Sequence, residues 1–147
     1  MKNMIPPHLF LFCIIAMVGI RNLFVIKIII PEPLNYSGLV LMITGIMMTI
    51  KVRKEFEQVE TEIHTFKNPG KLVTNGLFRI SRNPIYLGFT ISLIGVWILL
   101  GTMLPMIGCV LFILIANYYY IPFEEKIMEN TFGNEYQAYK SKVRRWI

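Results

Sequence analysis

Residues 82–120 read RNPIYLGFTISLIGVWILLGTMLPMIGCVLFILIANYYY. Asn83 belongs at a helix N-cap and Pro84 at a first helical position, so a helix is expected to start at Pro84. No charged residue follows until Glu124, and an uncharged run of that length reads as membrane-spanning. The turn GTMLP at 101–105 divides the run, because glycine and proline both break helices there. The expectation is two spans, at about 84–100 and 104–121.

Working outward, two earlier apolar runs have spanning length, at about 8–30 and 36–51, separated by PEPLN. The expected fold is an all-α integral membrane protein: four transmembrane helices as two antiparallel hairpins, with further helices in the C-terminal tail. One domain covers 1–147, with a loop at 52–83 and a tail at 122–147. The stretch KVRKEFEQVETEIHTF reads as an extension of the second helix, with Lys54, Glu57 and Glu62 on a solvated face and His64 as a hydrogen-bonded loop residue. In the tail, Gly133 should stop one helix and Asn134 cap the next. Tyr136, Tyr139 and Val143 then form an apolar stripe, and Arg144, Arg145 and Trp146 suit a membrane interface.

Composition agrees with life in lipid. The chain has 147 residues, 54% hydrophobic and 16% charged, against about 25% charged in average chains. Formal net charge is +6. The cations flank apolar runs without aromatic–basic interleaving, which points to anionic lipid headgroups and not to nucleic acid. Lys51, Arg53, Lys54, Lys67, Lys71, Arg79 and Arg82 lie in the central loop, and Lys126, Lys140, Lys142, Arg144 and Arg145 in the tail. The two short turns hold no Lys or Arg. Both termini and the loop are therefore expected in the cytoplasm, and a bacterial inner membrane suits so compact a chain. Cys13 and Cys109 sit in apolar runs as packing residues, and no metal-ligand cluster is present. Arg21 lies deep in the first run, where a charge is either functional or hidden against a neighbour, while Lys27 is near enough to the end to snorkel.

The start of the third span carries possible chemistry. Arg82 stands beside the positive end of a helix dipole, a combination that binds carboxylate or phosphate. Tyr86 follows four residues on, on the same side, and Gly88 leaves room for a ligand or a neighbouring helix. Arg82 and Tyr86 equally suit an interfacial anchor. If the last two spans return on each other, Glu124 and Glu125 come back beside Asn83 and Pro84. One glutamate would then serve a ligand and the other Arg82 or the tail. S-adenosylmethionine offers a carboxylate, an ammonium, a diol and a sulfonium; Tyr86, Tyr118, Tyr119 and Tyr120 offer aromatic faces for the last. Spacing alone does not single out this cofactor.

The segments LVTNGLFRISRNPIYLGF, IPFEEKIMENTFGNEYQAYKSKVRRWI and the lead-in HTFKNPGK resemble the isoprenylcysteine carboxyl methyltransferase family, whose broader group includes phospholipid N-methyltransferases. The shared pattern is Arg-His-Pro-x-Tyr-x-Gly, an apolar hairpin, Glu-Glu, then Phe-Gly-x-x-Tyr-x-x-Tyr, and it covers about residues 64–147. The resemblance implies an integral-membrane methyltransferase using S-adenosylmethionine, with a cytoplasm-facing pocket closed by the C-terminal segment. By position it implies a cofactor site of Leu72, Val73, Gly76, Arg82, Asn83, Pro84, Tyr86, Gly88, Glu124 and Glu125. Arg82 and Glu125 would carry catalysis, no metal is implied, and Tyr136, Tyr139 and Arg145 would meet a lipophilic or lipid acceptor bearing a carboxylate or amine. Asn83 stands where the family has His, so that position cannot titrate near neutral pH.

Two other readings remain open on sequence. One is an NADPH-dependent membrane reductase of sterol-reductase type, with Arg79 and Arg82 on a pyrophosphate. The other is a non-enzymatic helical scaffold.

Overall fold

The computed structural model describes residues 5–24, 27–58 and 70–147. His64, Glu62, Lys67 and Pro69 lie outside the described residues. Helix α1 is Pro6–Leu23, α2 Ser37–Gln58, α3 Pro84–Leu100, α4 Met106–Ile115 and α5 Ile121–Lys142. Short 3-10 turns occupy Leu34–Tyr36 and Gly76–Arg79. The described residues hold no strand, only an isolated antiparallel bridge between Ile28 and Thr102.

By length and composition three helical stretches can cross a membrane: Pro6–Leu23, Leu34–Glu57 and Met106–Lys142. The shorter apolar Pro84–Leu100 makes a fourth candidate, with the bounds expected from Asn-Pro before it and Gly101 after it. Gly101 takes the left-handed conformation, φ 68°, and ends the helix with its N–H on Trp97 and Ile98 carbonyls.

Two expectations are corrected. The first apolar run does not stay helical to residue 30. The helix ends at Leu23, Phe24 is extended, and Ile29 and Ile30 donate to Gly101 O at 2.8 and 3.1 Å. The helix of the fourth run does not end near 121 either, although its apolar stretch does. It passes through a wide π turn, Ala116–Tyr120, straight into α5. Gly133 does leave helical geometry, at φ 50° and ψ −120°.

Packing explains Arg21. Its Nε donates to Leu100 O at 3.2 Å, so its charge sits on the negative end of α3. Asn35 Nδ2 caps Leu99 O at 3.2 Å, and Trp97 Nε1 donates to Thr102 O at 2.9 Å.

α2 and α3 run antiparallel in close approach through small residues. A Cβ at Gly38 would strike Gly95 O, and one at Gly45 would strike Gly88 O and Ser92. Small residues at these positions let backbones meet, as in lipid-embedded helix pairs. α1 packs on α3 and α4, where Gly108 accommodates Met17. The main core gathers Leu9, Cys13, Met17, Tyr86, Leu93, Phe112 and Tyr120. A second cluster, Val52, Val73, Phe78, Tyr136 and Tyr139, lies under the polar end of the bundle. Leu11, Phe12 and Ile15 on α1, Val40 and Met47 on α2, and Ile107, Val110 and Leu114 on α4 are exposed, an apolar outer surface.

Candidate functional site

Asn83 occupies the N-cap position of α3 and Pro84 follows at the first turn. The expected cap bond is absent: Asn83 Nδ2 instead donates to Arg145 O at 3.1 Å. Ser81 Oγ donates to the same carbonyl at 3.1 Å and accepts from Asn83 N at 3.1 Å. Arg82 N donates to Arg144 O at 3.0 Å. The last residues of the chain therefore form a strap across the start of α3. Arg145 and Trp146, expected at a lipid interface, fold back onto the protein.

Arg82 is the centre of this arrangement. Its Nη2 meets Glu125 Oε1 at 2.8 Å, its Nε the same oxygen at 3.3 Å, and its Nη1 reaches the carbonyls of Lys140 (3.2 Å) and Val143. Arg145 Nη2 lies 2.6 Å from Glu125 Oε2. Side-chain exposure is 9% for Arg82 and 7% for Glu125, so this is a buried ion pair and not a surface one. Arg82 thus spends its donors inside the protein, where the sequence suggested a ligand anion.

Glu125 stands on α5 beyond Ile121, where the apolar span ends. Burial pulls its pKa up, but the hydrogen bonds and charges of Arg145 and Arg82 outweigh burial and lower it. Burial, with the charge of Glu125 adding to it, pushes the Tyr136 hydroxyl up to about 12. Burial also raises Tyr139, whose hydroxyl donates to Phe78 O at 2.7 Å. Glu124 turns the other way and accepts from Tyr86 OH at 2.8 Å. The two glutamates divide their work, one on Arg82 and the tail, the other on Tyr86.

These groups border a cavity of about 480 Å³ between the starts of α1 and α3, the end of α2, and α5. Val73, Arg82, Asn83, Pro84, Tyr86, Glu124, Glu125, Tyr136 and Tyr139 line it, bringing together nine residues singled out in the sequence. Leu72, Gly76, Gly88 and Arg145 do not line it. Gly88 faces α2, where Thr49 fills the space, so the neighbouring helix and not a ligand accounts for it. Gly76, at φ 59°, lies under the Glu55 carboxylate. Arg145 reaches the cavity only through Glu125. Tyr120 is buried with its ring centroid 6.3 Å from that of Tyr86, but Tyr118 is 76% exposed and offers the cavity no face. Arg79 pairs with Asn75 at 3.4 Å on the surface, away from the cavity, so it forms no anion clamp with Arg82.

Sequence reasoning missed the walls given by Pro6 and Pro7 of α1 and by Thr49, Arg53 and Phe56 of α2. Arg53, paired with Glu57 at 3.0 Å, was counted only as a topological charge. Lateral helix packing sets these neighbours, and no local motif marks them.

Fold and site together define an integral membrane protein with a charged cavity at one end of an apolar helical bundle. The phospholipid methyltransferase family matches residues 34–135, and the chain belongs to that family. It is 32% identical over 113 residues to a probable protein-S-isoprenylcysteine O-methyltransferase of Oryza sativa subsp. indica, covering 74% of this chain and 58% of that one. It is 29% identical over 126 residues to protein-S-isoprenylcysteine O-methyltransferase B of Arabidopsis thaliana, covering 84% of this chain and 57% of that one. An uncharacterized protein of Haemophilus influenzae is 41% identical over 63 residues, its whole length and 43% of this chain. The chain thus spans little more than half the length of its plant relatives. No solved structure matches it.

Proposed function

We propose that the chain is an S-adenosylmethionine-dependent methyltransferase acting on a lipophilic acceptor at the cytoplasmic face of a membrane, a bacterial inner membrane in the simplest case. The observation that carries this reading is the convergence of Arg82–Glu125 and Tyr86–Glu124, from α3 and α5, on one cavity. The basic central loop and tail suggest four spans in two hairpins with both termini cytoplasmic. The cavity lies among the starts of α1 and α3, the end of α2 and the stretch of α5 from Glu124 to Tyr139, which supports that reading.

The residues present fit the cofactor. A cavity of about 480 Å³ falls within the roughly 300–1,000 Å³ of small-molecule sites. The first turn of α3 has no side-chain cap, and its dipole end suits a carboxylate. Glu124 and Glu125 suit an ammonium or a diol, and the Tyr86 ring suits a sulfonium. Val73 suits the adenosine, while Leu72 and Gly76 stand outside the lining. When bound, the cofactor supplies a methyl group on an already activated sulfonium.

The protein's own contribution is position and dryness. Arg82 fixes Glu125 and the strap, while Glu124 fixes Tyr86. Tyr136 lines the cavity with a protonated hydroxyl, a donor for the acceptor's head. Tyr139 is held by Phe78 O, and Arg145 acts through Glu125. Glu125, doubly paired and with a lowered pKa, is a poor base. That favours an acceptor nucleophilic without deprotonation, a carboxylate, over an amine that must lose a proton. Apolar walls from Pro6, Phe56 and Phe89 suit its lipophilic portion.

The test is transfer of label. Purified protein is incubated with methyl-labelled S-adenosylmethionine and a bacterial lipid extract, and products are read by mass spectrometry. A labelled lipophilic product whose label leaves on mild base hydrolysis, as a methyl ester does, is expected. Lack of any labelled product and of any S-adenosylhomocysteine by-product would refute the reading.

A further inference from the structure

α4 enters α5 through the wide turn Ala116–Tyr120, where Ile121 N donates to Ala116 O five residues back. Pro122 follows at once. A helix-interior proline forfeits a backbone bond and crowds the carbonyl behind it, and the wide turn absorbs both. The same turn presents Asn117. Its Oδ1 accepts from Arg145 Nη1 and from Trp146 Nε1, each at 3.3 Å. Arg145 in turn holds both oxygens of Glu125, at 2.6 and 3.3 Å. The Trp146 ring packs, half-buried, against the main core.

We propose that Asn117 is a positioning residue: it latches the C-terminal strap, residues 143–146, and through Arg145 sets the Glu125 carboxylate that Arg82 completes. The chemistry suits an amide. A neutral oxygen takes two N–H donors without drawing the Arg145 charge away from Glu125. The family resemblance implies a closing C-terminal segment, but the matched span 34–135 stops short of Arg145 and Trp146 and so does not assign their bonds to Asn117. The effect on binding rests on the methyl-donor reading; the latch itself does not.

The experiment uses full-length protein in detergent with Trp97→Phe, leaving Trp146 as the sole tryptophan. Asn117→Ala is compared with Asn117→Asp, which keeps an acceptor oxygen. For Asn117→Ala the Trp146 emission moves to the red. Trypsin cleavage after Arg144 and Arg145 accelerates about tenfold, and affinity for S-adenosylhomocysteine falls about tenfold, the scale of one charge-assisted hydrogen bond. Asn117→Asp restores emission and resistance to trypsin. Combined with Arg145→Ala, Asn117→Ala weakens binding no more than about twofold further, because the two act in series. Unchanged emission and cleavage in Asn117→Ala, or additive losses in the double variant, would overturn the proposal. If Asn117→Ala does not fold, Trp146→Phe alone removes one of the two donors, and unchanged cleavage there would equally overturn it. Wild-type protein that binds no S-adenosylhomocysteine would refute the methyl-donor reading, while emission and cleavage would still decide the latch.

Discussion

Replacing Arg82 with alanine removes a guanidinium that holds Glu125, two carbonyls near the chain's end and, by position, the wall of the cavity. Removing one partner of a buried pair costs about 3–5 kcal/mol when the other charge is stranded. Here Arg145 stays on Glu125 at 2.6 Å, so the low end, about 3 kcal/mol, applies. For a chain near this size each kcal/mol is worth roughly 2–4 °C, so a fall in Tm of roughly 6–12 °C is expected. The assay is thermal unfolding in detergent followed by tryptophan fluorescence. Arg82→Lys should fall between, because an ammonium keeps the charge but cannot fork to a carboxylate and two carbonyls together. An Arg82→Ala protein melting within about 1 °C of wild type, below the effect expected of even one lost hydrogen bond, would refute the network as a structural element.

Three further outcomes follow from the geometry. The folded pKa of Glu125 lies below its ordinary 4.5, so its pairing contributes fully above that value and is lost as pH falls through the lowered one; the Trp146 emission of the Trp97→Phe protein should move to the red only below about pH 4.5, and in Glu125→Gln that acid step should vanish. Gly45→Ala places a Cβ against Gly88 O and Ser92, forcing α2 from α3; a loss of about 1–3 kcal/mol is expected, read as a lower Tm with Gly19→Ala, where nothing is within 4 Å, as the unaffected control. Tyr86→Phe strips the 2.8 Å bond to Glu124; S-adenosylhomocysteine affinity measured by calorimetry should fall about tenfold, the scale of a bond to a charged group.

The sequence announced some of this plainly. Asn83-Pro84 and Gly101 carry backbone chemistry that bounds α3 whatever surrounds it, and those bounds hold. The meeting of the Glu pair with Arg82 and Tyr86 followed from bringing the end of one apolar run back beside the start of another. Hydropathy could not see the end of α1. Ile28, Ile29 and Ile30 continue the apolar run in composition, yet they meet the end of α3 through backbone bonds while Ile28 and Ile29 stay exposed, a difference hydropathy does not register. The expected tail begins at residue 122, yet the π turn before it lets the helix continue. A closing C-terminal segment is implied by the family resemblance, but the bonds of the strap were illegible for a different reason. Arg145 and Trp146 have the composition of an interfacial anchor, and only their partners Glu125 and Asn117, fixed by tertiary packing, distinguish the two roles.

The most direct test of the whole account is a calorimetric titration of S-adenosylhomocysteine into the purified protein, beside Glu124→Ala and Glu125→Ala. Saturable one-to-one binding by the wild type, weakened strongly in both variants, is predicted. Either no binding by a folded wild type, or equal binding by all three proteins, would contradict it.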